Sequence, residues 1–334
     1  LHRVDRRQRQ MCIRDRSYTM HLEFSDYESL LVKICEDYYL EDINISEISK
    51  KYGITRYKAL KYIEDAREKQ LVSISINSPY ARNYELEEIF KNYFKTNIYI
   101  LKSSEDLSQH DLLFSKFAAD YIQELIKKAN VVALSWGDTV YKVIDQFKMG
   151  AREELIFTQF IGEIGKYNSL AGSTRLVQKA AERYESSYLT LSIPLYVINE
   201  TARELMALEP SLANTLATAS HADMLISGIG TLSSIDSVEP WNKHRKILFP
   251  SMTDTVGFLY GRPFNINGEF IKASEDKTFG LSLKEIFDIP KRIGICKSKF
   301  KAESCLGALN GNFFTDLFLD EKTAWKILSL IKKE

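Results

Sequence analysis

Short apolar runs that alternate with helical patterns leave few folds open to this chain. Strands and helices that alternate along a chain build parallel sheets, because each strand needs a crossover connection to return in the same direction. Helices on both faces of such a sheet bury every strand, which explains runs that are apolar throughout. We therefore predict an α/β domain with a parallel sheet. Its strands are expected at 97–101, 131–135, 155–161, 188–193, 223–229, 292–296 and 315–319.

The residues ahead of that domain predict three short helices. After a first amphipathic helix, Asn44 and Glu47 have the spacing of a capping box at the start of a helix over 45–52. Gly53 then permits a tight turn, and Thr55 can cap a third helix. The order helix, turn, helix is typical of DNA-binding domains, in which the second helix of the motif reads the major groove.

Basic side chains gather around this turn and on the third helix. Between Ser46 and Lys61 there are five basic residues and one acidic residue, Glu47. Cations near a helix N-terminus suit base edges and phosphates, so we predict DNA binding. A protein-binding module or a solvated surface is the alternative, and the stretch 71–76 can form either a wing or the start of a linker. The predicted DNA-binding residues are Lys50, Lys51, Thr55, Arg56, Tyr57, Lys58 and Lys61.

A turn between a predicted strand and a predicted helix suggests a ligand site. The apolar run at 131–135 breaks at Trp136-Gly137-Asp138-Thr139 and resumes with helical spacing from Val140. The first N–H groups of such a helix lack partners within the helix and attract phosphates, carboxylates or hydroxyls. Ligands of open parallel sheets bind beyond the carboxyl ends of the strands, where this turn is expected to lie.

Composition and motif spacing exclude several classes of protein. Lys plus Arg and Asp plus Glu both number 45, so any basic patch must be local. The cysteines lack CxxC spacing and the histidines lack HExxH spacing, so we expect free thiols and no metal site. GxGxxG after a strand and GxxxxGK(S/T) are absent, so we predict no cofactor. No apolar run approaches the roughly 20 residues of a membrane span, and we expect a cytoplasmic protein without membrane contact.

An enzyme would need a poised acid, base or nucleophile. The candidates at or near strand ends are Asp138, Glu163, Asp276 and Lys301. Each also has a structural interpretation, as a helix-terminus charge, a loop residue or a turn former, and no pair among them has a spacing that requires catalysis. We therefore predict a binding protein without catalytic residues. A sugar-phosphate isomerase or deaminase with an added helical domain remains the alternative.

The chain resembles the SorC-type transcriptional regulators of bacteria from about Tyr27 to Leu330. The order and spacing of several loose motifs carry the resemblance. These motifs are EISKKYGITRYKALKYIEDAREKQLV, VVALSWGDTVYKVI, SIPLYV, ADMLISGIG, GRPFNINGEFI, DKTFGLSLKEI and KAESCLGALNGNFFTDLFLDEKTAWKIL. The resemblance implies a helix-turn-helix joined to a Rossmann-like effector domain of the ribose-phosphate isomerase and glucosamine-phosphate deaminase type.

That resemblance also implies partners and site residues. It implies operator DNA as a partner and a small sugar, polyol or sugar phosphate as effector. It also implies a homo-oligomer, either a dimer or a tetramer. We therefore predict that the protein regulates a carbohydrate-utilisation operon. Binding of the effector is expected to modulate its binding to operator DNA. The predicted effector-binding residues are Gly137, Asp138, Thr139, Gln159, Gly162, Arg175, Gly228, Arg262 and Lys301.

Some positions depart from the family pattern. Many relatives have Thr or Arg where this chain has Asp138, whose carboxylate competes with a phosphate for the same N–H groups, so a neutral sugar is more credible. Ile161 replaces the Lys that can form a Schiff base with an effector aldehyde in deoxyribonucleoside regulators, so covalent capture is not expected. Glu163 stands where Gly is usual, and Lys297 where Gly is frequent. Tyr57 replaces a common Pro, so the operator of a relative cannot be transferred.

Three segments follow from these patterns. Residues 1–19 are Arg-rich and aperiodic, and we expect a disordered, non-native tail before a native start at Met20. The helix-turn-helix domain is predicted at 20–78. The sugar-binding α/β domain is predicted at 79–334.

Overall fold

The structure is a computed structural model that describes residues 26–72, 80–104, 107–164, 172–272 and 275–332. The chain divides into two compact units between Pro79 and Tyr80. The expected tail at 1–19 and residues 73–76 of the expected wing lie outside the described residues. Each unit is described by itself.

The first unit contains three helices, α1 (Asp26–Tyr39), α2 (Ile45–Tyr52) and α3 (Arg56–Glu68). The Asn44 side chain accepts hydrogen bonds from two N–H groups at the start of α2. Gly53 ends α2 with φ 65°, in the left-handed region that glycine adopts without strain. The helices bury a common core that includes Leu31, Ile34, Ile48, Ala59, Ile63 and Ala66.

The second unit is built on a parallel sheet of seven strands. These strands are β1 (Asn97–Leu101), β2 (Val131–Leu134), β3 (Ile156–Gln159), β4 (Ser187–Leu189), β5 (Met224–Gly228), β8 (Lys291–Cys296) and β9 (Asp316–Asp320). Two further strands, β6 (Thr255–Leu259) and β7 (Arg262–Asn265), form a separate antiparallel pair. The predicted fold class is confirmed. Strand β4 ends before the predicted limit of 193, where Leu191 and Ile193 pack into a small separate core.

Helices connect these strands. They are α4 (Tyr84–Lys91), α5 (Leu107–Ile126), α6 (Asp138–Asp145), α7 (Ser173–Tyr184), α8 (Glu200–Ala207), α9 (Pro210–Ser220), α10 (Leu232–Asp236), α11 (Glu239–Lys243), α12 (Arg245–Leu248), α13 (Leu283–Asp288), α14 (Ala302–Asn310) and α15 (Glu321–Ile331). A short 3-10 turn, Lys299–Lys301, precedes α14. No helix in the described parts of the chain is both long enough and apolar enough to cross a membrane.

The order of the strands fixes where a ligand can bind. The sheet runs β1-β9-β8-β5-β2-β3-β4. From β2 the chain moves outwards through β3 to β4 and then returns to β5 on the opposite side of β2. The carboxyl ends of β2 and β5 therefore diverge into different loops. This reversal is the topological switch point at which open parallel sheets bind ligands.

The sheet carries a hydrophobic core on each face. Successive side chains of a strand point to opposite faces, and accordingly Ala133 packs into one core while Val132 and Leu134 pack into the other. Helices α5, α6 and α7 cover the second of these faces. The two cores hold the strand ends in fixed positions, so the loops that follow them are presented on a rigid edge.

Candidate functional site

A cavity of about 310 Å³ lies beyond the carboxyl ends of β2, β5 and β8. Its walls come from the turn after β2, the end of β5, the β6 segment and the residues that follow β8. The volume corresponds to the lower end of small-molecule sites. Five of the nine predicted effector residues line it: Gly137, Asp138, Thr139, Gly228 and Lys301.

The turn after β2 forms the floor of this cavity. Gly137 precedes α6 with φ 145° and ψ 141°, a backbone conformation that side chains other than glycine rarely adopt. Among the described residues, no side chain caps the start of α6, so its first N–H groups are available to a ligand. Asp138 is the first residue of the helix and faces the same cavity. The glycine turn and the helix start that the sequence predicts at this position are therefore present.

Aromatic residues also line the cavity, a feature that the sequence analysis missed. Trp136 and Trp241 pack edge to face with ring centroids 6.2 Å apart, and Tyr196 packs on Trp241 at 5.0 Å. All three line the cavity. The signal for Trp241 is weak, because it lies in a helix of five residues that is too short to show a periodic pattern.

Two lysines line the cavity, one of them paired with a carboxylate. Lys301 Nζ donates a hydrogen bond to the carbonyl oxygen of Ile229, 2.8 Å away, at the end of β5. Lys297 follows β8, lines the cavity and pairs with the Asp111 carboxylate. Burial lowers the pKa of Lys297 below its ordinary value. An ammonium group has three donors, so Lys301 keeps donors for a ligand.

Four predicted effector residues do not line this cavity. Gln159 is fully buried, and its amide oxygen accepts from the Leu191 N–H at 2.7 Å. A Cβ at Gly162 would lie 2.6 Å from the Pro194 carbonyl oxygen, so this glycine serves close backbone packing. Arg175 is exposed in the first turn of α7, without a place in the cavity wall.

Arg262, the fourth of these residues, is held inside the protein. It is 5% exposed. Its Nε donates to the Asp276 carboxylate at 2.5 Å, and its terminal nitrogens donate to the carbonyl oxygens of Tyr260 and Leu281, both at 3.0 Å. Every nitrogen of the guanidinium therefore has a partner, and Arg262 links β7 to Tyr260, Asp276 and Leu281. Its role is structural.

The candidates for catalysis are likewise separated. Asp138 and Lys301 line the cavity, whereas Asp276 is paired with Arg262. The Glu163 carboxylate accepts hydrogen bonds at the start of α7. Within the described ranges, no group of His, Cys, Asp or Glu side chains is arranged to hold a metal ion. Of the four candidates, only Asp138 and Lys301 therefore line the cavity.

The first unit presents a basic and aromatic surface on α3. The side chains of Arg56, Lys58 and Lys61 are exposed, and Tyr57 is 79% exposed. Lys50 is exposed at the end of α2. These residues surround the start of α3, where a recognition helix contacts bases and phosphates.

Two predicted DNA-binding residues have structural partners. Lys51 Nζ lies 2.8 Å from both carboxylate oxygens of Asp37, and Tyr52 donates to the same carboxylate at 2.8 Å. The hydrogen bond from Lys51 lowers the pKa of Asp37. The Thr55 hydroxyl accepts from the Lys58 N–H at 3.2 Å and so caps α3. Lys51 is thus neutralised within the protein, and Thr55 positions the helix.

Comparison with known proteins identifies the second unit. Residues 78–329 match the family model described as "Putative sugar-binding domain". The sorbitol operon regulator of Klebsiella pneumoniae is 24% identical over 317 residues, which cover 92% of this chain and 100% of that protein. The deoxyribonucleoside regulator of Bacillus subtilis is 22% identical and covers 89% of this chain and 96% of its own.

Solved structures share the fold. The crystal structure of full-length SorC, the sorbitol operon regulator from Klebsiella pneumoniae, matches with a TM-score of 0.63 and 22% identity over 91% of this chain and 100% of that chain. A transcriptional regulator from Streptococcus pneumoniae TIGR4 matches with a TM-score of 0.67 and 19% identity over 75% of this chain and 97% of its own.

These relatives and structural neighbours are named as regulators and not as enzymes. The resemblance predicted from the sequence motifs is therefore confirmed, and so is the prediction that the protein is not an enzyme. With its family model matched over most of the length, this chain belongs to the sugar-binding domain family of SorC-type transcriptional regulators.

Proposed function

We propose that the protein regulates a carbohydrate-utilisation operon and that a small sugar, polyol or sugar phosphate in the cavity modulates its binding to operator DNA. One observation carries the proposal: a polar and aromatic cavity lies at the switch point between β2 and β5 in a chain that also has a helix-turn-helix with an exposed basic helix.

The composition of the cavity favours a carbohydrate. Asp138, Thr139 and the first N–H groups of α6 supply the short polar contacts that hydroxyl groups need. Trp136, Tyr196 and Trp241 supply apolar lining for the C–H groups of a sugar. Aromatic walls combined with a few convergent polar groups are typical of sites for small, hydroxyl-rich ligands.

The surface of α3 favours duplex DNA. Arg56, Tyr57 and Lys58 lie in the first turn of the helix, where they can reach base edges, and Lys50 and Lys61 are exposed on either side for phosphates. Helix-turn-helix proteins commonly bind two half-sites about one helical turn apart. We therefore propose that the protein binds DNA as a dimer or tetramer. We also propose that the DNA-binding domain comprises residues 20–78 and the sugar-binding domain residues 79–334.

A thermal-shift screen of sugars, polyols and their phosphates tests the effector, since a ligand that binds only the folded state raises the melting temperature. A rise with at least one of these compounds is expected. Enzymatic conversion of that compound would contradict the proposal. Gel shifts with the DNA upstream of the protein's own gene test operator binding in parallel.

A further inference from the structure

A carboxylate of the chain itself occupies the start of α7. Glu163 Oε1 accepts from the Ser173 N–H at 3.1 Å. Its Oε2 accepts from the Thr174 N–H at 2.9 Å, from the Thr174 hydroxyl at 2.7 Å and from the Gln159 amide at 3.2 Å. Four donors on two chain segments therefore converge on a single negative charge.

This arrangement matches the donor set of an anion site. The first N–H groups of a helix and its dipole favour negative charge, and a hydroxyl and an amide complete the shell of donors. Gly172 precedes α7 and has no side chain that could cap the helix. Glu163, ten residues before Ser173, supplies the negative group in its place.

A second observation shows that the start of α7 is built for polar contact. Ser173 is fully buried, and its hydroxyl has no hydrogen-bond partner among the described residues. A buried hydroxyl without a partner is costly and uncommon. The Ser173 hydroxyl is thus a buried polar group at the start of α7 to which the Glu163 carboxylate makes no hydrogen bond.

Glu163 follows β3, the strand next to β2, whose end borders the cavity, although neither Glu163 nor the first residues of α7 line the cavity themselves. Strand β3 is the neighbour of β2, and Gln159 is the register partner of Leu134 at their carboxyl ends. Neighbouring strands lie about 4.8 Å apart, so the end of β3 lies beside the end of β2. Ile164, the residue after Glu163, lines the cavity.

We propose that Glu163 determines effector specificity by occupying this anion site beside the cavity, so that no phosphate of the effector can bind at the start of α7. The effector presents hydroxyl or other uncharged groups there. A second carboxylate, Asp138, stands at the start of α6 on the neighbouring strand end. An anionic group of the effector is therefore confined to the side of the cavity that holds Lys297 and Lys301. The inference rests on the proposed function.

The test compares the responses of variants to inorganic phosphate. Glu163→Ala removes the internal anion and leaves the four donors, and Glu163→Gln keeps the size of the side chain without its charge. Glu182→Ala is the matched control, since it makes the same charge change at an exposed site near the other end of α7. Melting temperature and phosphate affinity by calorimetry are measured on the full chain at constant ionic strength.

Phosphate is expected to bind Glu163→Ala at least tenfold more tightly than the parent, with a smaller gain for Glu163→Gln and none for Glu182→Ala. If Glu163→Ala does not fold, Glu163→Gln alone decides. Equal phosphate affinity of the parent and the folded Glu163 variants would overturn the inference. The sugar screen on the parent is a separate measurement, so a parent that binds no carbohydrate refutes the proposed function, whereas an unchanged phosphate response refutes only the role of Glu163.

Discussion

The hydroxyl groups of Ser135 and Ser227 lie 2.9 Å apart and join the carboxyl ends of β2 and β5 by a buried hydrogen bond. This bond spans the switch point and lies in the wall of the cavity. Each serine also contacts the carbonyl oxygen of the residue that follows it. The bond therefore holds the two turns that line the cavity at a fixed separation.

Replacement of either serine should weaken both the fold and the site. We expect Ser135→Ala to lower the free energy of unfolding by about 1 kcal/mol, the usual net value of one hydrogen bond. Ser227→Ala should cost a similar amount, and the double variant less than the sum, because both remove the same bond. Urea unfolding of the three variants measures this coupling. Full additivity would show that the serines act independently.

Gly137 and Gly228 line the same cavity and provide a matched pair of substitutions. Gly137 has φ 145°, so Gly137→Ala should cost about 1–3 kcal/mol through backbone strain. A Cβ at Gly228 would lie 3.6 Å from a methyl group of Val140, an ordinary contact, so Gly228→Ala should change stability far less. Urea unfolding compares the two. Equal losses would contradict the role assigned to the φ of Gly137.

Cations on α3 should differ from Lys51 in their effect on DNA binding. Lys61→Ala should reduce the slope of log affinity against log salt by about one, because one phosphate contact is lost. Lys51→Ala should leave that slope unchanged, since its ammonium is paired with Asp37. Fluorescence anisotropy across a series of salt concentrations measures the slope. Lys33→Ala, on the exposed side of α1, is the control for charge alone.

Arg56 should carry sequence preference. It is the first residue of α3, and an arginine there can contact guanine with two hydrogen bonds that are worth about 1–3 kcal/mol of discrimination. Arg56→Ala is expected to bind operator and unrelated duplexes equally. Competition gel shifts compare them, and an Arg56→Ala protein as selective as the parent would refute the assignment.

The Lys51 and Asp37 pair should make stability depend on acidity. The pKa of Asp37 is lowered from its ordinary value of 3.8 in the folded state, so the unfolded chain binds a proton more readily. The contribution of the pair is therefore complete above about pH 5 and is lost as the pH falls through the lowered pKa. Lys51→Ala should destabilise the first unit at neutral pH and destabilise it less at pH 3, below the ordinary pKa of Asp37. Urea unfolding at both pH values checks this difference.

The sequence predicted the sheet well because each strand leaves a local record. The observed strand Asn97–Leu101 has the predicted bounds, and the turn at Gly137 lies where the apolar run breaks. Burial of strands on both faces favours apolar runs, and a turn with positive φ favours glycine. These requirements act within a few residues and can be recognised without the fold.

The site was predicted only in part, because the direction of a polar side chain depends on distant partners. Gln159 lies at the end of a strand, as expected, but its amide oxygen accepts a hydrogen bond from the N–H of Leu191, 32 residues later. Arg262 is bonded to Asp276 and to carbonyl groups of other segments. Such partners are set by tertiary packing. The wall formed by Trp241 was missed because its helix of five residues is too short to show a periodic pattern.

We expect a carbohydrate bound in the second unit to change the affinity of the first unit for operator DNA. Fluorescence anisotropy with a labelled duplex from upstream of the protein's own gene, titrated with and without the sugar that stabilises the protein, tests this coupling most directly. We expect the sugar to shift operator affinity at least fivefold in the parent and not in an Asp138→Ala variant that no longer binds it. An operator affinity that stays the same at saturating sugar would contradict the account.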